Sequence, residues 1–455
     1  MKNSIYRIIM LFFVLNLSFG QNNHNQETEQ KIDQYLKETI EINEIPGAAV
    51  AVIKDGKVIY EKYFEKASLE QNIPVDKNTP FKVFSTTKLI TAVGIFQLVE
   101  KGKITLEDPI SKYFTNLPKE WQDVKIKNLL THSSGLPDYF KFKDFPYTSP
   151  FEDRMLFLTK KPIESPVGYQ YSYNQTNYLL LSKIIEKVTG QTFEDYIFQS
   201  QFPNHGSDVF FCSDFEKLTS SAVRYTYNNE TKKYKQLTFN SGPGSHSGNG
   251  LNITLSQLIQ WNENLDKNIF LKKETKADMW APFSFANKKD IFAYGWESST
   301  INNQRSYGFS GGNVTAFQKF PDNNLTVIFL SNGNKYVHLP AFNQVVFHIA
   351  GIVDKSLVDS YEDVKEKITV SFLKEDFLKA NQNYLNIKNN HPDWNFERRL
   401  NLIGYSFMNI DRLQDAIKIF ELNKNENPNS ANAYDSLAES YFKNNQLEIS
   451  KINYK

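Results

Sequence analysis

The sequence predicts an α+β fold, an antiparallel sheet flanked by helices with a helical subdomain inserted in it, followed by an all-α repeat tail. Three observations predict it. Ala48–Ile53 and Val58–Phe64 are β-rich runs joined through Lys54-Asp55-Gly56-Lys57, and two such runs across Asp-Gly are the strongest short-range hairpin signal. A second pair, Val314–Phe320 and Leu325–Ser331, lies far downstream across Pro321–Asn324. From about residue 356 the Gly content drops and helical periodicity takes over.

Taken in order, the chain opens with Lys2 and Arg7, an apolar run of 12 residues from Ile8 to Phe19, and small residues Ser18 and Gly20 before Gln21. This is the pattern of a secretory signal peptide over 1–20. The run is too short to span about 30 Å of hydrocarbon as a helix, and no Cys stands at the cleavage site for a lipid anchor. An exported protein, periplasmic or secreted, with no stable transmembrane span after cleavage is expected. Residues 21–355 then form the α+β domain and 356–455 the helical region. Ile32, Tyr35, Leu36 and Ile40 recur at helical spacing, and Pro46-Gly47 ends that helix. Leu339–Val353 reads as an apolar helix after the second hairpin.

The tail repeats at an offset of 34: Leu400 maps to Tyr434, Gly404 to Ala438, Phe407 to Tyr441, Leu413 to Leu447, Ala416 to Ser450 and Phe420 to Tyr454. That period and its small–aromatic spacing resemble the tetratricopeptide repeat. Phe372–Ile387 is a candidate degenerate earlier pair. Such a tail is expected to pack on the α+β domain or to offer a concave surface to a protein or peptide partner.

Composition limits the function. The chain has 455 residues, room for two or three domains at roughly 150 each. Its 40% hydrophobic and 23% charged residues exclude a mostly disordered or multi-spanning chain. Lys+Arg 52 against Asp+Glu 51 argues against nucleic-acid binding. With Cys212 alone, no intrachain disulfide or multi-cysteine zinc site can form.

Chemistry concentrates at Phe84-Ser85-Thr86-Thr87-Lys88, which opens a helix carrying Leu89, Ala92, Ile95, Phe96 and Val99 on one periodic face. Ser85 and Lys88 are one helical turn apart and share a face. The positive helix end favours an alkoxide at Ser85, and burial would lower the proton affinity of Lys88 until it could take the serine proton. Beside this stand Leu106-Glu107-Asp108-Pro109-Ile110, the run Leu129 to Pro137 (LLTHSSGLP), Tyr171 to Tyr178 (YSYNQTNY), Glu186 to Gly190 and Phe309-Ser310-Gly311-Gly312. In this order and spacing, residues 30–352 resemble the serine hydrolases of the class C β-lactamase and penicillin-binding-protein superfamily, which includes D-aminopeptidases, D,D-carboxypeptidases and esterases. The resemblance implies a β-lactamase/transpeptidase-like fold and an acyl-enzyme route. It makes Ser85 the nucleophile, Lys88 the base or its assistant, and Tyr173 a proton shuttle whose phenol is expected to be lowered by Lys88.

Two departures bear on substrate. Gln175 stands where the family has Asn in its Tyr-x-Asn motif, and Phe309 stands where it has Lys or His before Ser310 and Gly311. Gln175 keeps the hydrogen-bonding groups on a longer stem. Phe309 cannot hold a substrate carboxylate, which argues against efficient β-lactam turnover and less against ester or amide substrates. Gln175, Phe309, Ser310 and Gly311 are the expected substrate-binding residues. The N–H groups of Ser85 and Gly312 are the expected oxyanion hole.

Gly308-Phe309-Ser310-Gly311-Gly312 also fits G-x-S-x-G, but a strand follows it and the elbow needs a helix. His132 reads as structural, Cys212 as inert, and Gly244-Ser245-His246-Ser247-Gly248 as a loop. No H-E-x-x-H, phosphate loop or dinucleotide fingerprint is present, so no metal or organic cofactor is expected. The expected protein is therefore a serine hydrolase acting on a small peptide, amide or ester. The alternatives are a binding module for a peptide or cell-wall fragment, and a scaffold whose tail carries the role.

Overall fold

The structure, a computed structural model, describes residues 26–215, 220–289, 291–336, 339 and 342–454. The signal peptide expected over 1–20 lies outside the described residues.

The first hairpin is β1 (Gly47–Lys54) and β2 (Lys57–Ser68). Its turn is tighter than the four residues expected: Asp55 and Gly56 alone form it, both at positive φ (51° and 73°), as a hairpin turn matched to strand twist requires. Ile73–Pro74 is β3, and Glu297–Ile301, Gln304–Gly311, Thr315–Phe320 and Leu325–Ser331 are β4 to β7. The sheet has seven strands in the order β3-β2-β1-β7-β6-β5-β4. Strands from both ends of the domain thus meet at its centre, with Ala48 opposite Ser331 and Lys54 opposite Leu325 in an antiparallel ladder.

Both faces of the sheet are covered. Ala48, Val50, Val52, Val327 and Phe329 pack against α1 (26–42) and α4 (Phe342–Val353), which supply Ile32, Leu36 and Ile349. Ala49, Ala51, Ile328, Leu330 and Phe317 face the helical subdomain. Alternate side chains go to opposite faces, so β1 reads as an unbroken apolar run.

Between the two halves of the sheet, α2 (Thr87–Glu100) runs through the subdomain, and α3 (Gln175–Thr189) packs with it in the same core. The periodic face read for α2 is incomplete. Every residue from Thr87 to Leu98 is buried, because this helix is enclosed by the sheet on one side and helices on the others.

The tail is three helical hairpins: α5 (Ser360–Lys374) with α6 (Phe377–Asn390), α7 (Glu397–Asn409) with α8 (Leu413–Glu426), and α9 (Ala431–Lys443) with α10 (Leu447–Asn453). The last two pairs start 34 residues apart, at 397 and 431 and again at 413 and 447. Gly404 faces the Phe420 ring, and Ser450 Oγ donates to the Ala438 carbonyl at 2.8 Å. The Phe372–Ile387 segment, expected as a pair of its own, holds the end of α5 and most of α6. The tail core also takes in Tyr336 and Leu339, so the tail packs on the sheet domain. Among the described residues no helix is long and apolar enough to cross a membrane.

Candidate active site

The chain enters α2 through a single 3-10 turn, Phe84–Thr86, that carries Ser85. Phe84 sits at φ +47°, a left-handed conformation costing a bulky side chain roughly 1–3 kcal/mol. Two hydroxyls hold the turn there. Thr86 Oγ1 donates to the Phe309 carbonyl at 3.2 Å and Thr315 Oγ1 to the Val83 carbonyl at 3.0 Å. The nucleophile turn is thereby bolted to β5 and β6.

Lys88 is fully buried. Burial holds its pKa well below the ordinary lysine range, with only Asp138 acting in the other direction. The surroundings suit a neutral amine, which has two N–H bonds and one lone pair. Nζ donates to the Gly248 carbonyl at 2.8 Å and to Gln175 Oε1 at 3.0 Å, and Ser85 Oγ lies 3.5 Å away. With both N–H bonds taken, the lone pair is left for the serine proton.

Tyr173 completes the group. Its hydroxyl is 2.6 Å from Ser85 Oγ, and Lys88 Nζ is 4.9 Å from its ring centroid. The expectation that Lys88 lowers this phenol is corrected: burial raises the Tyr173 pKa, and only hydrogen bonds with Ser85 and Gln175 oppose the rise. Glu297, the cross-strand neighbour of Gly308, adds to the rise, and burial pushes its own carboxyl up to about 7.

His132 backs this tyrosine. Its ring centroid is 4.7 Å from that of Tyr173, its Nδ1 accepts from the Asn174 N–H at 3.1 Å, and burial keeps it neutral by lowering its pKa. Asn174 caps α3 by accepting from the Thr176 N–H, which sets Gln175 at the first helical position.

On β5 the expected residues divide. The Phe309 ring is buried 6.1 Å from the Tyr173 ring and 5.8 Å from Lys88 Nζ, so an apolar wall stands where a cation or imidazole was absent from the sequence. Ser310 pairs with Ala316, and strand alternation turns its side chain to the face opposite Phe309. Among the described residues no contact ties it to Ser85, Lys88 or Tyr173. A Cβ on Gly311 would strike the Val83 carbonyl and reach within 3.0 Å of the Ser85 nitrogen, so only glycine lets the two backbones meet. Gly312, at φ +55°, lies against the Phe84 ring.

Two further residues were missed. The segment read as a loop is a 3-10 turn, Pro243–Ser245, running into a short helix, His246–Asn249. The Gly248 carbonyl receives Lys88, Asn249 Oδ1 accepts from Ser85 Oγ at 3.2 Å, and Asn249 Nδ2 donates to Gln175 Oε1 at 3.0 Å. The glycines alone signalled close approach: a Cβ on Gly248 would sit 2.9 Å from Gln175 Oε1. Cys212 lies outside this group, and Gly308–Gly312 forms no elbow, since β5 leads into β6.

A serine at a helix entrance, a buried lysine one turn on, a facing tyrosine and a glycine-edged strand are the layout of the penicillin-binding-protein-like serine hydrolases. The chain belongs to the beta-lactamase family, whose sequence profile matches residues 32–345. It is 28% identical over 332 residues to penicillin-binding protein 4* of Bacillus subtilis (strain 168), covering 68% of this chain and 72% of that one. Protein flp of Staphylococcus aureus (strain N315) is 25% identical over 364 residues, covering 76% and 72%. Among solved structures, the octameric penicillin-binding protein homologue from Pyrococcus abyssi superposes with TM-score 0.63 at 22% identity, covering 75% and 81%. EstCE1, a hydrolase with promiscuous acyltransferase activity, gives 0.56 at 20% identity, covering 68% and 94%.

Proposed function

We propose that this protein is an exported serine hydrolase that acts through an acyl-enzyme on a peptide, amide or ester. The observation that carries the reading is the saturation of Lys88: two acceptors hold its N–H bonds and leave its lone pair to Ser85. In that reading the Ser85 proton passes to Lys88, directly or through the Tyr173 hydroxyl, as Oγ bonds to the substrate carbonyl carbon. The N–H groups of Ser85 and Gly312 receive the oxyanion. The bond to the leaving group then breaks as Tyr173 delivers its proton to it and regains one from Lys88. Water repeats the sequence to release the acid and restore Ser85.

The apolar wall at Phe309 supports a leaving group without a carboxylate. Cell-wall-derived D-amino-acid peptides remain in the substrate class through the family and the expected compartment. The tail is assigned a protein or peptide partner.

The test is intact-mass analysis after treatment with a fluorophosphonate and, separately, a penicillin, with Ser85→Ala as the control. A fluorophosphonate adduct that the variant loses is the expected result. Absence of any adduct overturns the enzyme and leaves a binding module, the reading that Phe309 and Gln175 favour. Slow turnover of a chromogenic cephalosporin is also expected, and efficient turnover would overturn the role given to Phe309.

A further inference from the structure

We propose that Arg224 is a specificity residue for the acyl half of the substrate, selecting acyl groups that end in a carboxylate. This rests on the acyl-enzyme reading above.

The strand that lines the cleft has two ends. At the Phe309 end stands Tyr173, which in that reading protonates the leaving group, so the leaving group occupies this end. The acyl half must then extend past Ser85 toward Gly312 and Phe84. Arg224 stands there. Its Cζ is 5.6 Å from the Phe84 ring centroid, and its Nη2 lies 3.5 Å from the Gly312 carbonyl at the solvent edge.

Among the described residues the guanidinium is anchored by carbonyls and meets no carboxylate. Nη1 donates to the Tyr225 carbonyl and, at 3.2 Å, to that of Asn332, while Nε is buried with no hydrogen-bond partner. A second cation reaches the same ring. Lys82 Nζ is 5.7 Å from the Phe84 centroid and 5.1 Å from that of Phe215, and among the described residues it donates to the Cys212 carbonyl, at 2.5 Å. Burial lowers the pKa of Lys82 to about 8 and that of Arg224 to about 10, and no carboxylate of the described residues opposes either shift. Among the described residues, a buried lysine and a half-buried arginine share one aromatic ring without a counter-ion, which creates a demand for an anion. The planar fork of arginine at the open edge suits a carboxylate. The cleft thus lacks a cation at Phe309, on the leaving-group side, and has one on the acyl side.

The test compares the mono-p-nitrophenyl ester of succinic acid with p-nitrophenyl butyrate, which has the same chain length and no charge. The wild type is expected to favour the succinyl ester in kcat/KM, and Arg224→Met to lower that preference at least tenfold, with Arg224→Lys intermediate. A wild type that favours the neutral ester overturns the proposal. So does a ratio that Arg224→Met leaves unchanged, the signature of a merely structural arginine. Calorimetric binding of the succinyl ester to Ser85→Ala, with and without Arg224→Met, separates the two readings. Arg224-dependent binding without turnover in the wild type would leave the subsite standing and overturn the hydrolase. Equal binding in both variants would overturn the subsite.

Discussion

The cleft and the tail meet their physical requirements with different kinds of contact. In the cleft, Ser85 finds partners at Tyr173 and Asn249, and Lys88 at Gln175 and Gly248, all distant in sequence. In the tail, Gly404 meets Phe420 within one hairpin and the helix starts recur 34 residues on. Buried polar groups need specific partners, and losing one leaves the others unsatisfied. Apolar contacts are non-directional, so a change in the tail costs volume and packing and leaves the cleft chemistry untouched. Substitutions in the cleft should therefore appear as lost rate, and those in the tail as lost stability.

The largest effect is expected at Lys88. Lys88→Ala should lower kcat on an activated ester by about 10²–10⁴-fold, the usual contribution of a positioned base. Lys88→Arg should be as slow, because a guanidinium stays protonated and has no lone pair to offer. The wild-type rate should fall on the acid side as Lys88 gains a proton, with that limb well below the ordinary lysine range because burial lowers this amine. A charge-conserving variant that retained activity would break the comparison, since it would make Lys88 an electrostatic prop.

Tyr173→Phe should cost less, about 10²-fold, because Lys88 can still reach Ser85 directly at 3.5 Å. The loss should grow as the leaving group becomes more basic, since the phenol is the group placed to protonate it. Equal losses on activated and unactivated esters would remove Tyr173 from that step.

The same contrast decides what could be read in advance. The tail hairpins were legible because local contacts leave a period in the sequence, and the offset of 34 gave their spacing. The sheet was legible from Asp55-Gly56 and from two hairpins of matching pattern. Ser85, Lys88 and Tyr173 were legible through motifs. Asn249 and Gly248 were not, because their role depends on a short helix that tertiary contacts place against α2. The lowered proton affinity of Lys88 followed from burial, but the rise at Tyr173 did not, since desolvation of the enclosed phenol outweighs its hydrogen bonds. Arg224 carries no local pattern at all.

In the tail, Gly404→Leu should destabilise by about 1–3 kcal/mol, the cost of overpacking. Even a Cβ at this position would lie 2.5 Å from the Phe420 ring. Thermal melting should show an earlier transition, while hydrolysis of a small ester at 25 °C stays at the wild-type rate. A parallel loss of rate would show that the tail and the cleft are coupled, contrary to the contrast drawn above.

The smallest effect is expected where the tail meets the sheet domain. His348 on α4 has Nδ1 3.0 Å from Glu366 and 3.3 Å from Asp363, both on α5, and stacks on Tyr35 of α1 with centroids 4.0 Å apart. Tyr35 also donates to Glu366 at 2.7 Å. Burial opposes a charge on this imidazole, yet the two carboxylates outweigh it and hold the pKa above the ordinary histidine value. A raised folded-state pKa fixes the sign: the contribution is complete below about 6.5 and is lost as pH rises through the folded value. The pair is partly exposed, so the gain is about 1 kcal/mol or less. Urea midpoints measured across that range should fall with rising pH in the wild type, and His348→Gln should flatten this component. A slope that survives in His348→Gln would assign it to other groups and leave the junction held by the apolar packing around Tyr336 and Leu339.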